Sequence, residues 1–329
     1  MARKLLTLTF IMLAGVILMT GCEGEQGPPG QDAATLCTNC HSDDTQIWAI
    51  MAQWSNSVHA TGGNYERNTP PCSRCHTSEG FVAYWETGDP GTPENPSAIG
   101  CFTCHQPHTN YNFDLRYSDP VVFDVGGATF DKGKANLCAK CHQSRVASPT
   151  IPDSGPVIIT SSRWGSHYGP QANLLSGNGP YEFADETYTT DHAHYISNDN
   201  GCITCHMSAP FGSQSGGHTW NMTYDYHGAE EDQIAGCLTP GCHSTLEGFA
   251  YHGVQDSVVV LIDELRTLLL TAGIIDSTDL AVVPETLTVD QAGALYNFKF
   301  FEGDRSEGIH NPALAFDALN ASITAMGGR

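Results

Sequence analysis

Cys37-Thr38-Asn39-Cys40-His41, Cys72-Ser73-Arg74-Cys75-His76, Cys101-Phe102-Thr103-Cys104-His105, Cys138-Ala139-Lys140-Cys141-His142 and Cys202-Ile203-Thr204-Cys205-His206 repeat one pattern. A sixth run, Cys237-Leu238-Thr239-Pro240-Gly241-Cys242-His243, stretches it to four residues between the cysteines. Each run carries the attachment signature of a c-type haem: the two thiols add to the vinyl groups and the adjacent histidine reaches the iron. A disulfide scaffold would not need a histidine after every second cysteine. A zinc site usually pairs two half-motifs, whereas here every half-motif has its own histidine at the same offset. The expected complement is six covalently bound haem c groups.

The cysteines balance. Of 13, the six motifs use 12 and leave Cys22. Ahead of it, Arg3 and Lys4 precede an apolar run from Leu5 to Met19 and then Thr20-Gly21. That is the layout of a secretory signal over residues 1–21. Cys22 after Gly21 resembles a bacterial lipobox, with Met19 where leucine is usual, so lipidation at Cys22 is expected, plain secretion being the alternative. Glu23 does not resemble the aspartate of inner-membrane retention. The expected location is therefore a lipid anchor at the outer membrane or cell surface, otherwise the periplasm or outside the cell. Export fits the motifs, because haem is attached to cysteines outside the cytoplasm.

Residues 22–32 are rich in glycine and proline and read as a tether; their few Gly-x-y triplets cannot sustain a triple helix. Residues 33–250 form the expected haem-binding region. Its motifs are unevenly spaced, so a simple tandem repeat is not expected. Residues 251–329 change character and read as a helical C-terminal region. Apolar residues recur at helical spacing from Val254 to Ala272, with Gly273 as a stop. A second helix is expected from Thr288-Val289-Asp290 towards Phe301, and a third after Asn311-Pro312. The plainest role for this region is a helical hairpin packed as a lid or a dimer surface. The fold class expected is mostly α with extensive loops, the polypeptide wrapped around a stack of haems.

The formal net charge is −22, which argues against nucleic acid as a partner. An acidic exterior suits basic redox partner proteins or simple solubility.

A haem iron bound by two histidines is closed and suited to electron transfer; an open side admits substrate. Nine histidines lie outside the motifs: His59, His108, His167, His192, His194, His218, His227, His252 and His310. His108 is too close to His105 to serve the same iron but is placed for a neighbouring one. Methionine is the weaker alternative, at Met51, Met207, Met222 and Met326.

Several stretches resemble the multihaem superfamily of cytochrome c554, hydroxylamine oxidoreductase and pentahaem nitrite reductase. They are Trp54-Ser55-Asn56-Ser57-Val58-His59, residues 75–81 and 104–108, and Ser166-His167-Tyr168-Gly169-Pro170-Gln171. To these add Cys205-His206-Met207, Gly216-Gly217-His218-Thr219-Trp220, Tyr296-Asn297 and Asp304 to Pro312. The resemblance implies distal ligands at His59, His108, His167, His194, His218 and His310. His192 competes with His194, and His227 and His252 are spares. The proximal set is His41, His76, His105, His142, His206 and His243.

No Cys-x-x-Cys-Lys motif of the nitrite reductase catalytic haem occurs, so the resemblance implies haem packing rather than an enzyme. The expected function is electron transfer in anaerobic or extracellular respiration, as in the surface hexahaem cytochromes of metal-reducing bacteria that the chain also resembles. That resemblance implies redox proteins or extracellular and mineral acceptors as partners. A homopolymer joined through haem–haem contacts is a variant of that reading. The rival is a reductase or oxidase of a small nitrogen or sulfur compound at one open haem, with the stretched motif the first place to look.

Overall fold

A computed structural model describes residues 45–110 and 112–328. The signal, the tether, Cys22 and the first motif, Cys37 to His41, lie outside the described residues.

The protein is mostly helical with long loops. Three helices at the C-terminal end, Val254–Thr271, Val289–Asp304 and Pro312–Ala325, build the main core. Their ends follow from local chemistry. Val254–Thr271 closes on Gly273, whose φ of 72° lets Ile274 N–H donate to Leu269 C=O and Gly273 N–H to Leu270 C=O, a Schellman stop. Val289–Asp304 opens on a capping box: the Gln291 N–H donates to Thr288 Oγ1 at 3.2 Å, and the Thr288 N–H donates to Gln291 Oε1 at 3.0 Å. Pro312–Ala325 opens on Asn311, whose Oδ1 accepts from Leu314 N–H, with proline in the first turn.

The expected helices are all present. They are not a lid. Val258, Leu261, Leu265 and Leu269 bury one stripe of the first helix, whereas the second is buried nearly all round. The core reaches back into the long segment between the fourth and fifth motifs, taking in Val157, Ile159, Trp164, Leu174 and Phe183. Backbone pairing of Val157–Ile159 with Glu285–Leu287 ties that segment down. Buried Asn297 staples it: its Oδ1 accepts from Tyr181 N–H at 2.6 Å, and its Nδ2 donates to Tyr181 C=O and Ser322 Oγ.

The motif-bearing segments are built differently. Each described motif with two spacer residues makes about one helical turn, as at Ser73–His76, Cys101–Cys104, Asn136–Ala139 and Cys202–His206. A single turn is not stable by itself. Strands are few and short: Val121–Val122 with Thr129–Phe130, and the acidic hairpin Thr223–Tyr226 with Ala229–Asp232, join the pair above. A small second core gathers Val121, Phe123, Phe130 and Leu175. Large apolar side chains here face outward, among them Trp48, Met51, Val58, Phe102 and Phe113. Among the described residues no helix is long and apolar enough to cross a membrane.

Candidate haem-binding histidine pairs

In three of the described motifs with two spacer residues the histidine is set by a turn that closes on the first cysteine. The backbone N–H of His76, His105 and His142 donates to the carbonyl of Cys72, Cys101 and Cys138 at 3.1, 2.9 and 2.9 Å. The stretched motif regains the same closure. His243 N–H reaches Cys237 C=O at 3.1 Å, while the two extra residues turn through Gly241 at φ +90°.

Five motif histidines each face a second histidine from a distant part of the chain. Ring centroids are 6.1 Å apart for His142 and His59, and 6.1 Å for His76 and His167. They are 6.4 Å apart for His105 and His218, 6.3 Å for His243 and His194, and 6.4 Å for His206 and His310. Two imidazoles on opposite sides of one metal, each at a bond of about 2 Å, put their centroids roughly 6 Å apart. The spacing therefore fits an iron between each pair, and the two thiols next to one member of each pair fit the covalent part of a haem.

Local structure aims the rings. His59 sits on Val58–Thr61, capped by Ser57 Oγ accepting from Ala60 N–H. His218 follows Gly216-Gly217; a Cβ on Gly217, at φ +50°, would come within 2.4 Å of Gln53 Oε1. His167 holds a φ of 70°, strained for a residue with a side chain.

Five ring Nδ1 atoms donate to oxygen: His105 to Phe113 C=O at 2.7 Å, His142 to Gln171 Oε1 at 3.1 Å, and His206 to Trp220 C=O at 3.0 Å. His194 donates to Ile309 C=O at 2.6 Å, and His310 to Asp304 Oδ1 at 2.7 Å. A proton fixed on Nδ1 leaves the Nε2 lone pair for a metal. Burial keeps the rings neutral. It pushes His59 down to about 4, helped by His142, and His167 down to about 4, helped by Arg145. It also lowers His76, His142, His194, His206 and His218. His310 is the exception. Burial opposes its charge, but the Asp304 carboxylate, 1% exposed, outweighs that and raises it.

The structure thus brings together His59, His167, His194, His218 and His310 with described motif histidines. His194 faces His243, whereas His192 caps the Ala193–Ile196 turn with its ring 4.6 Å from that of His194. His108 is exposed and faces Phe102 rather than a motif histidine among the described residues. His227 lies by Tyr226 in the hairpin turn, and His252 lies by Tyr251. Sequence reading missed the oxygen partners Gln171 and Asp304. Both fall inside stretches singled out for their histidines, but nothing in their spacing marks them as ring partners.

Neither a family model nor a curated protein sequence matches the chain. Among solved structures, the chain resembles the outer cell wall cytochrome OcwA over 83% of its own length, with 17% identity and a TM-score of 0.51. An undecahaem cytochrome from the S-layer of Carboxydothermus ferrireducens aligns over 83% of the chain, with 18% identity and a TM-score of 0.49. The alignments span 49% and 40% of those proteins, so the chain matches about half or less of their length. The resemblance to OcwA shows that this chain shares the fold of a multihaem cytochrome.

Proposed function

We propose that the chain is an exported c-type cytochrome holding six haems and moving electrons along them. The observation that carries this reading is the facing of five motif histidines by five others at 6.1–6.4 Å. Under this reading Cys72/Cys75, Cys101/Cys104, Cys138/Cys141, Cys202/Cys205 and Cys237/Cys242 bind five haems. The histidines that would hold their irons are His76 with His167, His105 with His218, His142 with His59, His206 with His310 and His243 with His194. The sixth haem belongs to Cys37, Cys40 and His41, with His108 a remaining candidate partner. When bound, haem supplies a one-electron ferric/ferrous couple.

The protein supplies the rest. At the five described pairs, two histidines would hold each iron and leave no site for substrate, which favours electron exchange. Nδ1 hydrogen bonds fix ring orientation and donor strength. His194 opposite His243 supports a closed site even at the stretched motif. The signal and Cys22 support a lipid anchor facing acceptors outside the cytoplasm, and the charge of −22 argues against nucleic acid as a partner.

The test is a series of single variants of the holoprotein. Replacing His59, His167, His194, His218 or His310 with alanine is expected to convert one low-spin haem to high-spin in the EPR spectrum. His227→Ala and His252→Ala are expected to leave it unchanged. An unaltered spectrum for any of the five removes that pair. Cys22→Ser is expected to move the protein from the membrane to the soluble fraction; continued membrane retention would argue against the anchor.

A further inference from the structure

Trp220 touches more of the paired histidines than any one pair requires. Its ring lies edge-on to His59, centroids 4.7 Å apart at 76°, and edge-on to His218 at 5.6 Å and 66°. Its carbonyl accepts from Nδ1 of His206 at 3.0 Å. Those histidines belong to three different pairs: His59 faces His142, His218 faces His105, and His206 faces His310. Trp220 holds this position with φ +55°, a left-handed conformation unfavourable for a bulky residue.

We propose that Trp220 is a positioning residue at a three-way junction, locking histidines that belong to the third, fourth and fifth motifs. The inference rests on the haem reading above. Trp220 touches no reacting atom; it acts by fixing ring planes at two sites and an Nδ1 hydrogen bond at a third. Bound haems would supply the one-electron couple; Trp220 itself exchanges no electron. No bond is made or broken.

The experiment uses Trp220→Gly and Trp220→Phe in the full holoprotein, with haem number fixed by mass. Glycine accepts the left-handed backbone, so it removes the ring while sparing the fold. Single histidine-to-methionine variants at His59, His218, His310, His167 and His194 first assign the EPR signals of the five sites. In Trp220→Gly the signals of the third and fourth motifs are expected to shift in g value, that of the fifth to shift less, and those of the second and sixth to stay in place. Phenylalanine is expected to restore the first two. With haem number intact, unmoved third and fourth signals, or equal shifts at all five sites, would overturn the inference. A haem number below six in the unaltered protein would overturn the underlying reading instead.

Discussion

The C-terminal helices and the motif-bearing segments make an interior in opposite ways. Around Val289–Asp304 the interior is side chains: Leu265, Leu269, Leu295, Phe298, Phe300, Leu314 and Leu319 are all nearly or fully buried. Around the motifs the turns are about four residues long, the second core is small, and Trp48, Met51, Phe102 and Phe113 face outward. Such turns need something large and apolar to pack on. A porphyrin tied to the chain at two cysteines and closed by two histidines is that body under the proposed reading. The comparison teaches that one chain builds a large side-chain core in one region and only short turns over a small core in the other, joined through the segment around Val157 to Phe183.

The most severe way to break the comparison is to block one attachment. Cys138→Ser with Cys141→Ser is expected to expose residues 45–145 and 200–250 to limited proteolysis while the segment from Val254 to Ala325 stays protected. Equal cleavage of both would show that the helices also depend on the cofactor. Next in size is a cavity in the other half. Phe300→Ala is expected to cost about 3–5 kcal/mol in denaturant unfolding of the helical core, with the haem number unchanged; lost haem would tie the two regions together.

Acid sharpens the contrast more gently. The folded protein holds His59 and His167 near 4, below the ordinary 6.5, so the unfolded chain takes up those protons first. That contribution is complete above pH 6.5 and is lost as pH falls towards 4. In the holoprotein an iron bond would add to burial in holding these rings neutral, so low-spin absorbance is expected to persist at pH 5; a transition centred on pH 6 would mean these rings do not hold iron. The smallest effect is at the cap. Thr288→Ala is expected to cost about 1 kcal/mol of helical-core stability in thermal unfolding, with every haem signal preserved.

The motifs and the three long helices were legible because each depends on neighbours within a few residues. Covalent attachment needs two thiols and a histidine on one turn, and a buried helix writes its stripe, cap and stop into consecutive positions. The pairings were not legible. His142 meets His59 from far upstream, whereas His206 meets His310 from far downstream, and no local rule fixes either. His192 and His194 are two residues apart and looked equivalent. The fold separates them by using His192 as a cap and aiming His194 with Ile309 C=O. Trp220 was visible only as part of a histidine-bearing stretch, since its contacts exist only once three motifs converge.

The most direct measurement is an EPR spectrum of the purified oxidised protein with its haem number fixed by mass. The account predicts six attached haems and low-spin signals only, unmoved by nitrite, hydroxylamine or sulfite. A high-spin haem at rest that shifts on adding one of these would mean an open catalytic site and would contradict the reading of the chain as a closed electron conduit.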